Sequence, residues 1–271
     1  MRKAIVVSAI GPQYTALFRN VAPTFEHYAA RHGWDIKVIT ELPDWFRDRY
    51  ARPEWDFRLL CCAFRLHQPS LFPGYDLLAL MDPDMIINPQ APCLSGYWDD
   101  IPAAGIAAVQ EISFEERSLF PSWRKYHYSD FLSEEEVQEL PFPDRHINTG
   151  LILLRPYEVM EELSALNLAD SSLSDEDHIN LSFTQRGRVF FLSPKWNVIY
   201  PYELARRGCL PRPLPHSRWR IVRKARDELD LRVTQPRLVK KLFNDAYVLH
   251  FASTDKRIPM HLDARRLLST R

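Results

Sequence analysis

The first forty residues of the chain alternate between a strand pattern, a helix pattern and a second strand pattern. Ala4–Ile10 is an apolar, β-branched run, which is typical of a strand covered on both faces. Apolar side chains then recur at near-helical spacing over Thr15–His32, and Gly33 stands where a helix usually ends. Asp35–Ile39 reads as another strand. Strand, helix and strand in so short a stretch predict a parallel βαβ unit, and therefore an α/β fold.

The remainder of the chain continues this alternation. Further strands are predicted at Tyr75–Met81, Ile106–Val109, Ile147–Leu154, Val189–Leu192 and Tyr247–Phe251, and further helices at Trp55–His67 and Asp175–Phe183. The segment 114–143 is rich in Ser, Glu, Pro and aromatic residues, and we interpret it as an insertion or a lid over a site. Because no internal repeat or low-complexity linker divides the sequence, we expect one domain over residues 1–271.

The charge balance of the whole chain limits its partners. Thirty-five basic and 35 acidic residues cancel, so the average surface offers no general attraction to nucleic acid. No apolar run approaches the roughly 20 residues that a membrane helix needs, and the apolar start at Met1–Ile10 is too short for a convincing signal peptide. The cysteines form no CxxC pair and are expected to be reduced. We expect a cytoplasmic protein, with the inner face of the membrane as a candidate location. The basic segment His216–Arg226 is a solvated face or a candidate for binding an anionic acceptor or a membrane surface.

Asp82-Pro83-Asp84 is the strongest chemical signal in the sequence. The tripeptide directly follows the most apolar predicted strand, and ligands of open α/β sheets bind beyond the carboxyl ends of the strands. Pro83 restricts its own backbone and that of Asp82, so the two carboxylates are stiffly held. Two oxygen ligands placed in this way suit Mg²⁺ or Mn²⁺. A solvated turn after a strand is the alternative interpretation.

His250 and Lys256 give a second, weaker signal. His250 closes the last predicted strand, and an imidazole at a strand end can bind a metal ion. Lys256 follows a few residues later and could reach a phosphate group. Taken alone, the two residues are more often a core histidine and a surface lysine.

Several short motifs lie in order along the chain. They are Tyr28–Asp35, Tyr75–Asp84, Asn148–Gly150, Asp175–Asn180, Leu192–Asn197 and His250–Lys256. Tyr75–Asp84 resembles the strand and DxD motif of glycosyltransferases with the GT-A fold, and Tyr28–Asp35 resembles a stretch of the yeast mannan-type galactosyl- and mannosyltransferase group. The other motifs are similar to those of the glycogenin and lipopolysaccharide galactosyltransferase group. The resemblance implies a Rossmann-like, mostly parallel central sheet flanked by helices.

The resemblance implies a set of metal and phosphate ligands. Asp82 would contact the donor ribose and the metal, Asp84 would be the main metal carboxylate, and His250 would be the third protein ligand of a Mn²⁺ or Mg²⁺ ion. Lys256 would hold the donor phosphates. Arg58, on the helix before the DxD strand, matches a basic residue that contacts the donor.

A second set of implied residues lies around the transferred sugar. Asn148 would bind that sugar, in a strand motif that also brings Thr149 and Gly150 to the donor. Asp175 would bind the sugar from the next motif, and Glu176 beside it would be a further catalytic residue. Because Glu176 stands where the family has glutamine, it could act as a covalent nucleophile or stabilise the cationic sugar electrostatically.

The implied reaction moves a hexose or pentose from a nucleotide diphosphate sugar to a glycan or glycolipid acceptor, with retention of anomeric configuration. Tyr14 would stack on the base. A UDP-sugar is the expected donor, but Gly11, Pro12 and Gln13 stand where the family has acidic and amide residues, which leaves a GDP-sugar as the alternative. Two other functions stay open: a phosphatase or phosphotransferase of the haloacid dehalogenase type, and a non-catalytic sugar-nucleotide-binding protein.

Overall fold

The secondary structure alternates along the chain much as the sequence predicts. A computed structural model describes residues 1–51, 57–111, 146–165, 175–206, 235–252, 259–260 and 262–269, so the predicted insertion at 114–143 lies outside the described residues. The strands are β1 Lys3–Ser8, β2 Asp35–Ile39, β3 Leu77–Met81, β4 Met85–Ile87, β5 Ile106–Gln110, β6 Ile147–Leu154, β7 Val189–Leu192, β8 Val198–Ile199 and β9 Val248–His250. The helices are α1 Pro12–His32, α2 Asp44–Tyr50, α3 Phe57–Phe64, α4 Pro156–Ala165, α5 Asp175–Ile179, α6 Tyr200–Arg206, α7 Gln235–Asp245 and α8 Ala264–Ser269.

The central sheet has the strand order β2-β1-β3-β6-β5-β7. Strand β1 pairs in parallel with β2 and β3, and β5 pairs in parallel with β7. Strand β6 runs antiparallel to both of its neighbours, β3 and β5. The predicted α/β fold with a mostly parallel central sheet is confirmed. A second, smaller sheet has the order β4-β9-β8.

Alternate side chains of β1 enter two different cores. Ile5 and Val7 pack in the core that contains the apolar face of α1, whereas Ala4 and Val6 pack in the core that contains side chains of α2, α3 and α4. All of them are fully buried. Because successive side chains of a strand point to opposite faces, the sheet is covered on both sides, which explains the unbroken apolar run in the sequence.

Helix α1 is longer than the sequence pattern predicts. It begins at Pro12, because proline is well suited to the first helical position and Gly11 before it adopts a φ of 88°. It continues through Pro23 without a break and ends at Gly33, whose left-handed φ of 67° favours glycine. Even α1, and equally every other helix within the described part of the chain, lacks the combination of length and apolar character that crossing a membrane requires.

Two predicted helices change character along their length. The helix predicted at Trp55–His67 is α3 followed by a 3-10 helix, Arg65–Leu71. The helix predicted at Asp175–Phe183 is α5 followed by a π-helical turn, Asn180–Thr184. Short π-helical segments are uncommon and often lie at functional sites.

The ends of several strands meet at one edge of the central sheet. Strands β1 and β3 are parallel, so their carboxyl ends at Ser8 and Met81 lie side by side, and the antiparallel β6 starts at the same edge. The backbone N–H of Asp82 donates to the carbonyl of Gly150 at 2.9 Å. In the small sheet, Met85 pairs with His250. The two sheets therefore bring the Asp-Pro-Asp turn, β6 and the end of β9 together.

Candidate active site

The Asp-Pro-Asp turn is fixed from two sides. Besides the bond from Asp82 to β6, the carbonyl of Asp84 accepts from the backbone N–H of Phe251, at the end of β9, at 3.0 Å. The Asp84 side chain is 6% exposed and that of Asp82 is 25% exposed. Both carboxylates are thus held at the sheet edge, and that of Asp82 is open to solvent.

The imidazole of His250 lies against both carboxylates. Its Nε2 is 3.3 Å from Oδ2 of Asp82 and 3.4 Å from Oδ1 of Asp84. Its Nδ1 lies 2.9 Å from Oδ1 of Asn197 and donates to that oxygen, which can only accept. Burial lowers the pKa of His250, but the negative charges of Asp84 and Asp82 outweigh this effect and raise the pKa to about 9.

The arrangement of these ligand atoms fits a divalent cation. One oxygen from each aspartate and one imidazole nitrogen lie within 4.8 Å of one another. Adjacent ligands on an octahedral ion with bonds of about 2.1 Å lie about 3 Å apart, close to the separations around His250. A metal-bound histidine usually donates its other ring N–H to a fixed acceptor, and Asn197 provides such an acceptor.

Gly150 allows His250 to come close to β6. A methyl group at this position would lie 2.5 Å from Cε1 and 2.8 Å from Nδ1 of His250, and 2.8 Å from Cε of Met85. Those contacts are too short for carbon and nitrogen atoms, so any side chain here would displace the imidazole. The close approach of His250 and Met85 therefore explains why the Asn148–Gly150 motif has glycine at its third position.

Arg65, at the start of the 3-10 helix, connects the turn with the sugar-side motifs. Its guanidinium donates to Oδ1 of Asp82 and to the carbonyl of Thr149, and its Nε lies 3.5 Å from Oδ2 of Asp175. The side chains of Arg65 and Asp175 are 13% and 9% exposed. Burial raises the pKa of Asp175 to about 6, although the charge of Arg65 acts in the opposite direction.

Asn148 and Thr149, at the start of β6, hold the carboxylate of Glu176. Oε2 of Glu176 accepts from Nδ2 of Asn148 at 3.3 Å, from the backbone N–H of Thr149 at 3.2 Å and from the Thr149 hydroxyl at 3.3 Å. Oδ1 of Asn148 in turn accepts from Nδ2 of Asn197 at 2.8 Å. Through Asn197, this network is continuous with His250.

One cavity of about 420 Å³ joins these groups. Its size lies in the usual range for small-molecule sites. Its polar wall comprises Arg65, Asp82, Asp84, Asn148, Thr149, Glu176 and His250, and its other wall comprises Ser8, Ile10, Gly11, Pro12, Gln13, Tyr14, Cys61, Cys62 and Gln68. The polar wall could bind a charged ligand together with a cation. The second wall is formed by residues at and after the end of β1 and by residues of α3 and the 3-10 helix.

Comparisons with known proteins give matches at the level of structure. No family model matches the chain, and no curated protein matches it in sequence. The galactosyltransferase LgtC in complex with donor and acceptor sugar analogs gives a TM-score of 0.51 at 15% identity, covering 98% of this chain and 94% of that one. A glycosyltransferase involved in the glycosylation of the major capsid of PBCV-1 gives 0.52 at 14% identity, covering 98% of this chain and 100% of that one.

A structure of an active-site mutant of LgtC gives a TM-score of 0.54 at 16% identity, and the match covers 98% of this chain and 94% of that one. All three likenesses extend over nearly the whole chain. The chain has the GT-A fold. At these identities, structural similarity is evidence for the fold alone. It confirms the GT-A fold that the motifs predict. The resemblance of Tyr28–Asp35 to the yeast mannan-type group stays a prediction.

The GT-A fold places most of the predicted site residues in the cavity. Those that line it are Tyr14, Asp82, Asp84, Asn148, Thr149, Gly150, Glu176 and His250. Asp175 reaches this group through its contact with Arg65. Arg58 lies on α3, but its side chain is outside the described part of the structure, as is the whole of Lys256. The roles of all these residues stay predictions.

Sequence reasoning missed several residues that the GT-A fold brings to this site. Arg65 lies two helical turns after Arg58 on the same predicted helix, so helical periodicity could have suggested it as a second candidate. Asn197 is part of a quoted motif, but nothing local in the sequence predicts its contact with His250. No motif or spacing in the sequence indicates the pair Glu111 and His146, which lies behind Glu176.

Proposed function

We propose that this chain is a metal-dependent glycosyltransferase that moves a hexose or pentose from a nucleotide diphosphate sugar to a glycan or glycolipid acceptor. One observation carries the proposal: the carboxylates of Asp82 and Asp84 and the imidazole of His250 converge at the wall of a single cavity. The GT-A fold supports it, because the similar structures named above are of glycosyltransferases.

Asp82, Asp84 and His250 would hold a Mn²⁺ or Mg²⁺ ion in this proposal. Such an ion supplies positive charge for the leaving diphosphate. His250 would bind through Nε2, because its Nδ1–H is committed to Asn197. Lys256 would add a second positive charge at the phosphates.

Arg65 keeps the polar wall in a fixed arrangement. It contacts Asp82 on the metal side and lies near Asp175 on the sugar side. A guanidinium can serve several acceptors at once because its donors point in fixed directions. We infer that Arg65 orients both carboxylates, while Asn148 and Asp175 bind the transferred sugar.

On the sugar side, loss of the diphosphate leaves an oxocarbenium-like centre, as in glycoside hydrolysis. Glu176 lines the cavity, and its carboxylate is fixed by Asn148 and Thr149. A carboxylate there would stabilise the developing cation, or would attack it as a nucleophile. We propose retention of anomeric configuration, by attack of the acceptor on the face that the diphosphate leaves.

The donor is proposed to be a UDP-sugar, with a GDP-sugar as the alternative. Tyr14 lines the cavity close to the end of β1, where it could stack on a base. Gln68 donates to the hydroxyl of Ser8 at 2.6 Å, which fixes a polar group on the same wall. We also propose action in the cytoplasm, at or near the inner face of the membrane.

A donor screen tests this function. UDP-, GDP-, CMP- and dTDP-sugars are added to the purified chain with and without Mn²⁺, and both the melting temperature and the release of free nucleotide are measured. A donor at about 100 times its Kd adds about 2.7 kcal/mol to the free energy of unfolding, which corresponds to an increase of about 5 °C or more. We expect this increase for one donor class, only with the metal, together with metal-dependent release of nucleotide.

The same screen distinguishes the alternatives. Stabilisation by a nucleotide sugar without any release or transfer would favour a non-catalytic binding protein. Metal-dependent hydrolysis of p-nitrophenyl phosphate, with no response to nucleotide sugars, would favour a phosphatase. Full activity in excess EDTA would contradict the metal-dependent mechanism.

A further inference from the structure

Cys93 lies between β4 and β5, directly before a 3-10 helix, and its thiol is part-buried and forms no disulfide. The segment around it is anchored to α1. The Tyr28 hydroxyl donates to the carbonyl of Pro92 at 3.0 Å and accepts from the backbone N–H of Leu94 at 2.7 Å. Cys93 does not line the cavity described above. Its sulfur is therefore held in a fixed place that the proposed transfer reaction does not use.

Lys3, the first residue of β1, brings an ammonium group to this sulfur. Its Nζ lies 3.8 Å from Sγ of Cys93 and donates to Oγ of Ser95 at 3.1 Å. Oγ of Ser95 in turn lies 3.0 Å from the sulfur. Because an ammonium can only donate, the Ser95 oxygen accepts from Lys3 and its own proton can point to the sulfur. An ammonium and a hydroxyl are thus both available to Sγ as donors.

The indole of Trp34 supplies a third donor. Trp34 is 6% exposed, and its Nε1 has no hydrogen-bond partner of ordinary geometry within the described residues. This N–H faces the sulfur of Cys93. A buried donor that is left unsatisfied costs about 1–3 kcal/mol, and a neutral thiol is only a weak acceptor. A thiolate is a stronger acceptor because it is charged, so an ionised Cys93 would satisfy the indole.

The charged and titratable groups on the neighbouring elements also favour an anion at this position. They are Lys3 from β1 and Tyr28, Arg31 and His32 from α1. Lys3 and Arg31 are cationic at neutral pH. Burial raises the pKa of Tyr28 and lowers that of His32, so both stay neutral. Burial also raises the pKa of the Cys93 thiol, but the donors described above and the charge of Lys3 outweigh this effect and lower it.

The alternative is an inert, structural cysteine. Such cysteines lie in apolar surroundings, which keep the thiol protonated. Cys93 does pack against the core that contains the apolar face of α1. However, its sulfur is also within reach of an ammonium and a hydroxyl, and packing alone does not require either group. This donor set is typical of a reactive cysteine.

We propose that Cys93 is a site of reversible modification whose thiolate attacks low-molecular-weight disulfides. In the step, a bond forms between Sγ of Cys93 and one sulfur of the disulfide. The disulfide bond breaks, and the second sulfur leaves with the bonding electrons as a thiolate. The product is a mixed disulfide, which another thiol reverses by the same exchange. Because the thiolate is the attacking form, the donors around Cys93 increase the reactive fraction at neutral pH.

Modification rates measured residue by residue test the proposal. The purified chain is treated with iodoacetamide, and separately with oxidised glutathione, over a series of pH values. Peptide mass spectrometry follows Cys93 separately from Cys61, Cys62 and Cys209. We expect alkylation of Cys93 to reach half of its maximal rate at a lower pH than alkylation of N-acetylcysteine, a thiol free in solution. We also expect a mixed disulfide with glutathione at Cys93 that dithiothreitol removes.

Three variants remove the donors one at a time. Lys3→Met removes the ammonium, Ser95→Ala removes the hydroxyl, and Trp34→Phe removes the indole N–H but keeps an aromatic ring. Each should move the alkylation profile of Cys93 to higher pH and lower its rate at neutral pH by at least about threefold. Lys37→Met is the control, because its ammonium lies over the ring of Tyr75, and it should leave the profile unchanged.

The outcomes do not depend on any assay of sugar transfer, so this inference and the proposed function can fail separately. Alkylation of Cys93 at the same pH as the free thiol, or at a higher pH, would overturn the inference even if a variant fails to fold. Equal profiles for Lys3→Met and Lys37→Met, with both proteins folded by thermal melting, would overturn it too. So would rapid alkylation without any mixed disulfide from oxidised glutathione.

Discussion

At the scale of single residues, the site is held together by side chains that each contact several groups. Arg65 contacts Asp82 and Thr149 and lies close to Asp175. Asn197 donates to Asn148 and accepts from His250. Such shared partners fix the directions of the reacting groups, so conservative changes at these positions should affect catalysis more than folding.

Arg65→Lys should lower kcat by about 10- to 100-fold, or about 1.4–2.7 kcal/mol of barrier. Lysine keeps the charge, but a single ammonium cannot replace the fixed donors that reach Asp82 and Thr149. Initial rates at saturating donor and metal would measure the loss. Arg47→Lys, in an exposed ion pair with Asp44 on α2, is the control and should leave the rate unchanged. Equal rates for Arg65→Lys and Arg47→Lys would show that Arg65 has no role in catalysis.

His67 should make the chain less stable in acid. It is buried among the rings of Trp45, Phe46 and Tyr50, and its Nε2 has no hydrogen-bond partner within the described residues. Burial lowers the pKa of His67 to about 4, so the folded state favours the neutral ring. Its contribution to stability is complete above the unfolded pKa of about 6.5 and is lost as pH falls toward 4, by up to about 3 kcal/mol.

Chemical denaturation at a series of pH values checks this prediction. Between pH 6.5 and 4, the free energy of unfolding should fall more steeply in the unmodified chain than in His67→Phe, which keeps an aromatic ring and cannot be protonated. Parallel curves for the two proteins would show that His67 is not held neutral.

At the scale of elements, the sequence predicts those strands and helices whose patterns are local. Strands β6 and β7 have the predicted bounds, because β7 is wholly apolar and β6 ends in the apolar run Leu151–Leu154. The change from α3 to a 3-10 helix at Arg65 was not predicted. The sequence also gives no sign that β6 lies between β3 and β5, because that order depends on pairings between distant segments. The contact of Arg65 with Thr149 and the pair Glu111–His146 depend on that order, so they could not be predicted either.

Gly150→Ala tests how closely β6 and β9 must approach. The added methyl group would overlap with the ring of His250 and with Met85, so the imidazole should move away from the aspartates. We expect Mn²⁺ affinity, measured by calorimetry, to fall at least about tenfold, and the free energy of unfolding to fall by about 1–3 kcal/mol. Gly96→Ala is the control, because a methyl group there meets no atom within 4 Å. Unchanged Mn²⁺ affinity in Gly150→Ala would contradict this account of the glycine.

At the scale of the whole molecule, the GT-A fold brings together parts of the chain that are far apart in sequence. The cavity is lined from the end of β1, the turn after β3, the start of β6, helix α5 and the end of β9. The two cores on either side of the sheet hold these segments in register. The prediction of one domain over residues 1–271 stays a prediction, as does the interpretation of 114–143 as an insertion or lid.

The position of a bound cation tests the central claim most directly. Crystals grown with MnCl₂ and UDP, with diffraction data collected at the manganese absorption edge, would locate the ion independently of any assay. We expect the strongest anomalous peak at bonding distance from the carboxylates of Asp82 and Asp84 and from Nε2 of His250, next to the diphosphate. A nucleotide bound in the cavity with no manganese peak beside it, or a peak beside Glu111 and His146 instead, would contradict the account.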